Sequence, residues 1–241
     1  MNIKKRKNND YLTIFSSYSR DKIIDKDGKV TTKRGGPLFF IENVLREIHV
    51  PYKSFYGPTI NVEIKVGKNG EAGKVLGLPT VNSLPKSNIS SYILVSTIFN
   101  EWNLDEISKL NAKVFVDIQG FVRQVDRPGK KRTFKYIEKY AEKIYCLKGT
   151  REEMSFIPKT VYEEQKKRLL IITDEDRGTE YFFEGKRSFT KVMKKIDSKD
   201  TVGVGDTFFG YFVGLLFKGK TLKSALGLAM NKSANFLQLK T

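Results

Sequence analysis

Apolar runs rich in β-branched and aromatic residues alternate along the chain with amphipathic stretches. The runs at 11–16, 92–96, 113–118, 143–147 and 168–173 read as strands, and the stretches near 37–48, 102–110, 133–142 and 160–166 read as helices. Leu104, Ile107 and Leu110 keep one helical face apolar, which suits a helix laid on a sheet. This alternation predicts an α/β fold with a mainly parallel central sheet.

Two segments break the rhythm. Residues 22–32 turn at Asp27-Gly28 and residues 61–76 turn near Asn69-Gly70, both hairpin signals, so a small secondary sheet is expected from hairpins near 20–34 and 60–78. Towards the C-terminus, Phe208, Phe209, Tyr211, Phe212, Val213, Leu215, Leu216 and Phe217 make a helix that is apolar on nearly every side and must be buried. Gly210 and Gly214 would let it approach a neighbour closely, and a last helix is expected from the N-cap Thr221 through Leu237. Residues 1–241 are read as a single domain.

With 241 residues the chain can bury a full core, and its apolar and charged fractions exclude disorder and fibre. The single cysteine, Cys146, permits no internal disulfide, and with His49 as the lone histidine there are too few soft ligands for a Cys/His zinc cluster, any metal chemistry would use oxygen ligands, and a His-dependent triad is not expected. His49 ends an apparent helix and reads as a capping or surface residue. The longest apolar run, 207–217, is too short to span a bilayer, and the N-terminus lacks a sustained hydrophobic stretch, so a cytoplasmic protein without membrane partners is expected. The net charge of +17 raises nucleic acid as a partner. The basic residues are nevertheless spread along the chain, apart from Lys4-Lys5-Arg6-Lys7 and Lys130-Lys131-Arg132, and no nucleic-acid motif accompanies them, so nucleic acid is not the expected partner.

The densest chemistry lies in Asp200-Thr201-Val202-Gly203-Val204-Gly205-Asp206-Thr207-Phe208. Gly203 and Gly205 allow successive amides to point one way at the positive end of the following helix, which makes an anion hole. Asp206, at the lip of that helix, is placed to accept a proton from a hydroxyl attacking phosphorus held in the hole. A second segment, Gly214-Leu215-Leu216-Phe217-Lys218-Gly219-Lys220-Thr221, fits the P-loop pattern letter for letter. It is rejected, because Leu-Leu-Phe would put bulky apolar groups into a phosphate loop and too little chain follows for the strand and acid that hold magnesium. A dinucleotide loop at Gly203 also fails, since Phe208 occupies its third glycine position.

The Asp-Thr-x-Gly-x-Gly-Asp-x-Phe run resembles the signature of the ribokinase-like (PfkB) carbohydrate kinases. The resemblance implies a ribokinase-like three-layer α/β fold in which a small β lid covers the acceptor, although ordinary surface hairpins read as well from pattern alone. It implies Asp206 as the catalytic base and Gly203, Val204 and Gly205 as the amides that stabilise the transferring group. Other positions extend the match. Asp21 falls where the family holds substrate hydroxyls, and Gly35-Gly36 matches its early double glycine. Phe40 replaces the Asn that often follows, which points to a less polar pocket or to stacking on a base. Gln119 and Arg123, after the strand ending Val116-Asp117, are expected substrate or phosphate contacts. Leu147-Lys148-Gly149-Thr150-Arg151-Glu152-Glu153 resembles the Asn-x-x-Glu segment, with Glu153 kept for magnesium and Thr150 in place of Asn. Thr173 and Gly178 match the nucleotide loop, where Glu175 replaces a glycine and acids crowd the site, and Asn231 matches a position near adenine.

The implied activity is transfer of the γ-phosphoryl group of ATP, with Mg2+, to a hydroxyl of a small sugar, polyol or nucleoside. The other reading is a catalytically impaired ribokinase-like protein that senses nucleotide or binds RNA. Homodimerisation through the small sheet is a habit of the family.

Overall fold

A computed structural model describes residues 11–67, 70–77, 79–124, 132–174, 177–191 and 200–240. Along the chain come β1 (Leu12–Ser16), β2 (Ser19–Ile24), β3 (Val30–Gly35), α1 (Pro37–Glu47), β4 (Tyr52–Phe55), β5 (Ile60–Gly67), β6 (Gly70–Leu76), β7 (Tyr92–Ser96) and α2 (Leu104–Ser108). They are followed by β8 (Lys113–Asp117), α3 (Gln119–Val122), β9 (Ile144–Thr150), α4 (Arg151–Met154), α5 (Lys159–Lys166), β10 (Leu169–Asp174), β11 (Gly178–Phe183), β12 (Lys186–Lys191), α6 (Val204–Phe217) and α7 (Leu222–Gln238).

The large sheet has eight strands in the order β12-β11-β10-β9-β8-β7-β1-β4. From β4 to β10 all pairings are parallel, and β11 and β12 close the edge antiparallel. Side-chain alternation along each strand divides the core between the two faces. Phe15, Ile93, Val95, Val114 and Val116 pack with Leu104, Ile107, Phe121 and Val161 from α2, α3 and α5. Leu12, Ile14, Leu94 and Phe115 pack on the other face with α1, α6 and α7. The result is three layers, the architecture that the resemblance implied.

α6 lies deepest on the second face: Phe209, Phe212 and Val213 are fully buried. A Cβ on Gly214 would stand 2.7 Å from Ile48 Cδ1 and 2.8 Å from Leu45 Cδ2, so this glycine lets α6 sit directly against α1 and its C-terminal cap. Residues 214–217 are therefore helix, and the P-loop reading of 214–221 falls on structural grounds too. Thr221 caps α7 through its hydroxyl, as expected. His49 follows α1 with a φ of +51° and is exposed, in keeping with a capping role.

The hairpins form a separate sheet in the order β3-β2-β5-β6. The Asp27-Gly28 turn is where expected; Asn69 lies outside the described residues, as do Lys4–Lys7, Lys130 and Lys131. Several elements differ from expectation, among them β4 and β11, which no expected strand covers. The helix expected over 133–142 is reduced to a 3-10 turn at Lys135–Lys139, and α2 is shorter than 102–110. The polar strand β12 was not foreseen; it is an edge strand, joined to β11 through Glu184 and Gly185, both with positive φ, and needs no apolar alternation. Among the described residues no helix is long and apolar enough to cross a membrane.

Candidate active site

The C-terminal ends of the central parallel strands meet the N-terminus of α6, the place where open α/β sheets bind ligands. Ser16 ends β1, Ser96 ends β7, Asp117 ends β8 and Lys148 lies near the end of β9. Opposite them the chain turns through Gly203, whose φ of +80° makes it the left-handed N-cap of α6. A Cβ there would lie 2.4 Å from the Phe40 ring. Phe40 is thus the apolar support beneath the glycine turn, 8% exposed and in edge contact with Phe236. This corrects its expected place in the acceptor pocket: the α1 register turns the ring towards α6 and α7.

Of the three amides expected to hold phosphate, that of Val204 already donates to the Thr201 carbonyl at 3.2 Å. Gly205 and Asp206 follow in the first helical turn, where no preceding carbonyl of the helix reaches the N–H groups. The turn is braced by Asp200, which accepts from the Val202 amide at 3.1 Å, from Lys240 at 2.9 Å and from Lys33 of β3 at 3.1 Å. Burial works against the Asp200 carboxylate, yet the Lys240 and Lys33 ammonium groups keep its pKa below the ordinary value. The small sheet is thereby tied to the glycine turn.

Asp206 is buried, and its Oδ1 accepts from Ser96 Oγ at 3.1 Å and from Gln119 Nε2 at 2.9 Å. Neither bond uses Oδ2. Burial raises its pKa, opposed by the charges of Lys148 and Arg123 and by those two hydrogen bonds. Arg123 donates to Gln119 Oε1 at 3.1 Å, which turns the amide nitrogen of Gln119 towards Asp206. Gln119 and Arg123, expected as substrate contacts, are therefore seen orienting the carboxylate.

Asp21 is also buried and accepts from Ser19 Oγ. Burial raises its pKa first of all, and the charges of Asp200 and Asp206 add to the rise, which puts Asp21 in electrostatic reach of the same centre. A Cβ on Gly35 would stand 1.9 Å from Asp21 Oδ2, and one on Gly36, with φ +87°, 2.6 Å from Ser17 O and Ser19 N. The double glycine lets the start of α1 lie against the β1–β2 link. Beside that link is a cavity of about 130 Å³ lined by Ser17, Asn61, Thr80, Asn82 and Glu101 among others; Ser17 is 1% exposed and its hydroxyl has no hydrogen-bond partner among the described residues. A wider cavity of about 390 Å³, which shares Thr59 with the first, is lined by Arg20, Lys33 and Arg34 among others. Asp206 lines neither.

Glu153 closes a capping box: its Oε2 accepts from the Thr150 amide at 2.8 Å while Thr150 Oγ1 accepts from the Glu153 amide at 3.2 Å. The Thr in place of Asn is thus the N-cap of α4. Among the described residues no group of three or more His, Cys, Asp or Glu could hold a metal ion. Thr173, the penultimate residue of β10, donates weakly to Gly149 O, at 3.4 Å. Gly178, with φ +129°, opens β11, and a Cβ there would lie 2.3 Å from Thr190 O. Glu175 and Asp176 lie outside the described residues; Asp174 accepts from Arg151 and Arg177, and Glu180, on β11, from Arg151 and Arg187. Asn231 is exposed on α7.

Sequence reasoning missed the deepest pair. Lys148 is 3% exposed and donates to the fully buried Asp117 at 2.7 Å. The available signal was an ionisable residue ending each of two adjacent apolar strands, where burial demands a partner.

The sequence profile of the pfkB family carbohydrate kinases matches residues 96–238, more than half of the chain. The chain belongs to this family. Its fold is similar to that of a pyrophosphate-dependent kinase of the ribokinase family, solved with a pyrophosphate analogue and myo-inositol: TM-score 0.75 and 18% identity over 94% of this chain and 95% of that one. Arabidopsis thaliana ribokinase, complexed with ribose and ATP, gives 0.70 and 14% over 96% and 94%. The Methanocaldococcus jannaschii nucleoside kinase gives 0.72 and 15% over 95% and 92%. No curated protein matches the sequence.

Proposed function

We propose that this family member transfers the γ-phosphoryl group of ATP to a hydroxyl of a small sugar or polyol. The observation that carries the reading is Asp206: a carboxylate at the N-terminus of α6, fixed through one oxygen by Ser96 and Gln119, beside the left-handed Gly203 turn. The amides of Gly205 and Asp206 and the positive end of α6 hold the transferring group, and Asp206 takes the hydroxyl proton late in attack. A positioned base contributes about 10² to 10⁴ in rate and one hole donor about 10² to 10³.

On the acceptor side, Asp21 receives hydroxyls while Ser17, Asn61 and Asn82 offer polar groups from the smaller cavity. A sugar or polyol is favoured over a nucleoside because Phe40, the ring that could have stacked on a base, supports Gly203 instead. The small sheet serves as a lid, linked to the phosphate turn by Lys33 and Asp200. Thr173 and Gly178 lie on the donor side. Magnesium, when bound, neutralises phosphate charge; with no carboxylate cluster among the described residues, its ligands would be phosphate and water oxygens, and Glu153 would reach it through water. Work in the cytoplasm, where ATP is abundant, completes the reading.

The test is a matrix of donors and acceptors followed by phosphorus NMR: ATP and pyrophosphate, each with ribose, fructose, myo-inositol and nucleosides. A new phosphomonoester from ATP with a sugar or polyol is expected. Its absence from every combination would overturn the reading.

A further inference from the structure

Lys148 and Asp117 are register partners on the adjacent parallel strands β9 and β8. Both are almost wholly enclosed, at 3% and 0% exposure, with Nζ 2.7 Å from Oδ2. Such a pair is a poor device for stability alone: desolvating two ions costs several kcal/mol, and well-packed apolar residues in their place are often neutral or better.

The direction of the ammonium explains it. Nζ stands 3.0 Å from the point a Cβ would occupy on Gly205, so the lysine reaches under the glycine turn and touches the first turn of α6. One of its donors goes to Asp117. Carboxylates outnumber it here: Asp117, Glu153 and Asp206 all act on its charge, and although burial pulls its pKa down, together they hold it above the ordinary lysine value. Lys148 is therefore a fixed cation at the site where phosphate charge would arrive.

We infer that Lys148 is a further catalytic residue of this kinase, donating to a non-bridging oxygen of the transferring phosphoryl group, and that Asp117 is its positioning residue. The inference rests on the proposed phosphoryl transfer. In that step the acceptor oxygen forms a bond to the γ-phosphorus, the bond from γ-phosphorus to the β,γ-bridging oxygen breaks, the hydroxyl proton passes to Asp206 and ADP leaves. Lys148 keeps its proton throughout and offsets negative charge on the phosphoryl oxygens. The geometry also explains why position 205 is glycine: an alanine methyl would press on the ammonium.

Removing Lys148 alone would leave Asp117 as an unpaired buried charge, which can unfold the protein. The decisive variant is Lys148→Met combined with Asp117→Asn, nearly isosteric and neutral. It is expected to stay folded, as a cooperative melting curve shows, while kcat falls about 10²-fold or more, the size of one lost hole donor, with the acceptor KM little changed. Wild-type kcat in this double variant would overturn the inference, because a purely structural pair would be replaced without loss. Calorimetric titration with inorganic pyrophosphate, without acceptor, separates this from failure of the kinase reading. Binding by the wild type that is at least tenfold weaker in the double variant supports Lys148 as a phosphate contact even if no acceptor is ever turned over; equal binding, or none by the wild type, contradicts it.

Discussion

Gly203→Ala probes the phosphate turn at one methyl group. The wild-type residue has φ +80°, a region that costs an L-residue roughly 1–2 kcal/mol. The new Cβ would also lie 2.4 Å from Cε2 and Cζ of Phe40. That ring cannot swing away cheaply, since it is in edge contact with Phe39 and Phe236 at centroid distances of 5.3 and 5.9 Å. Forcing a close-packed group aside costs about 1–3 kcal/mol. The two terms add to roughly 2–5 kcal/mol of lost stability, and the shifted turn loses about 10²–10³ in kcat, as for one hole donor. Urea unfolding gives the first number and steady-state turnover the second. Phe40→Leu, combined with Gly203→Ala, removes the ring contact but leaves the backbone strain, so the cycle should show favourable coupling of about 1–3 kcal/mol. A Gly203→Ala protein with wild-type midpoint and kcat would refute the argument.

Three further outcomes follow from the same geometry. Asp206→Asn should lower kcat by about 10²–10⁴ without loss of stability: burial raises the Asp206 pKa, so its charged form is a penalty that grows as pH rises through that pKa and that Asn removes, a comparison read from melting curves at neutral pH. Gly36→Ala drives a Cβ to 2.6 Å from two backbone atoms at φ +87° and should destabilise the protein by more than about 2 kcal/mol, measured by denaturant titration. Where α6 and α7 meet the end of α1, Lys232 and then Tyr211 donate to Glu47 and hold its pKa below the ordinary value, so that contribution is present at neutral pH and lost as pH falls through the lowered pKa; Glu47→Gln should flatten the acid limb of the stability profile.

How much could be read in advance follows from the range of the interactions. The glycine turn and Asp206 are contiguous, and their chemistry depends on residues adjacent in sequence, so the segment 200–208 declared itself. β1, β7, β8 and β10 were legible because burial on both faces leaves unbroken apolar runs. The partners of Asp206 were not, since Ser96 and Gln119 lie 110 and 87 residues away and meet it only through strand order. Lys148 and Asp117 went unnoticed for the same reason. Phe40 was misjudged because the pattern of α1 marks an apolar position without saying which neighbour it faces.

The central claim is that Asp206 and the amides beside Gly203 act on the same phosphoryl group. A crystal structure with a non-transferable ATP analogue and the best acceptor tests it most directly. The account predicts an acceptor hydroxyl within about 2.6–3.2 Å of Asp206 Oδ2, with terminal phosphate oxygens on the Gly205 and Asp206 amides. Phosphates seated away from this turn, or an Asp206 that stays with Ser96 and Gln119 while no hydroxyl comes within reach, would contradict it.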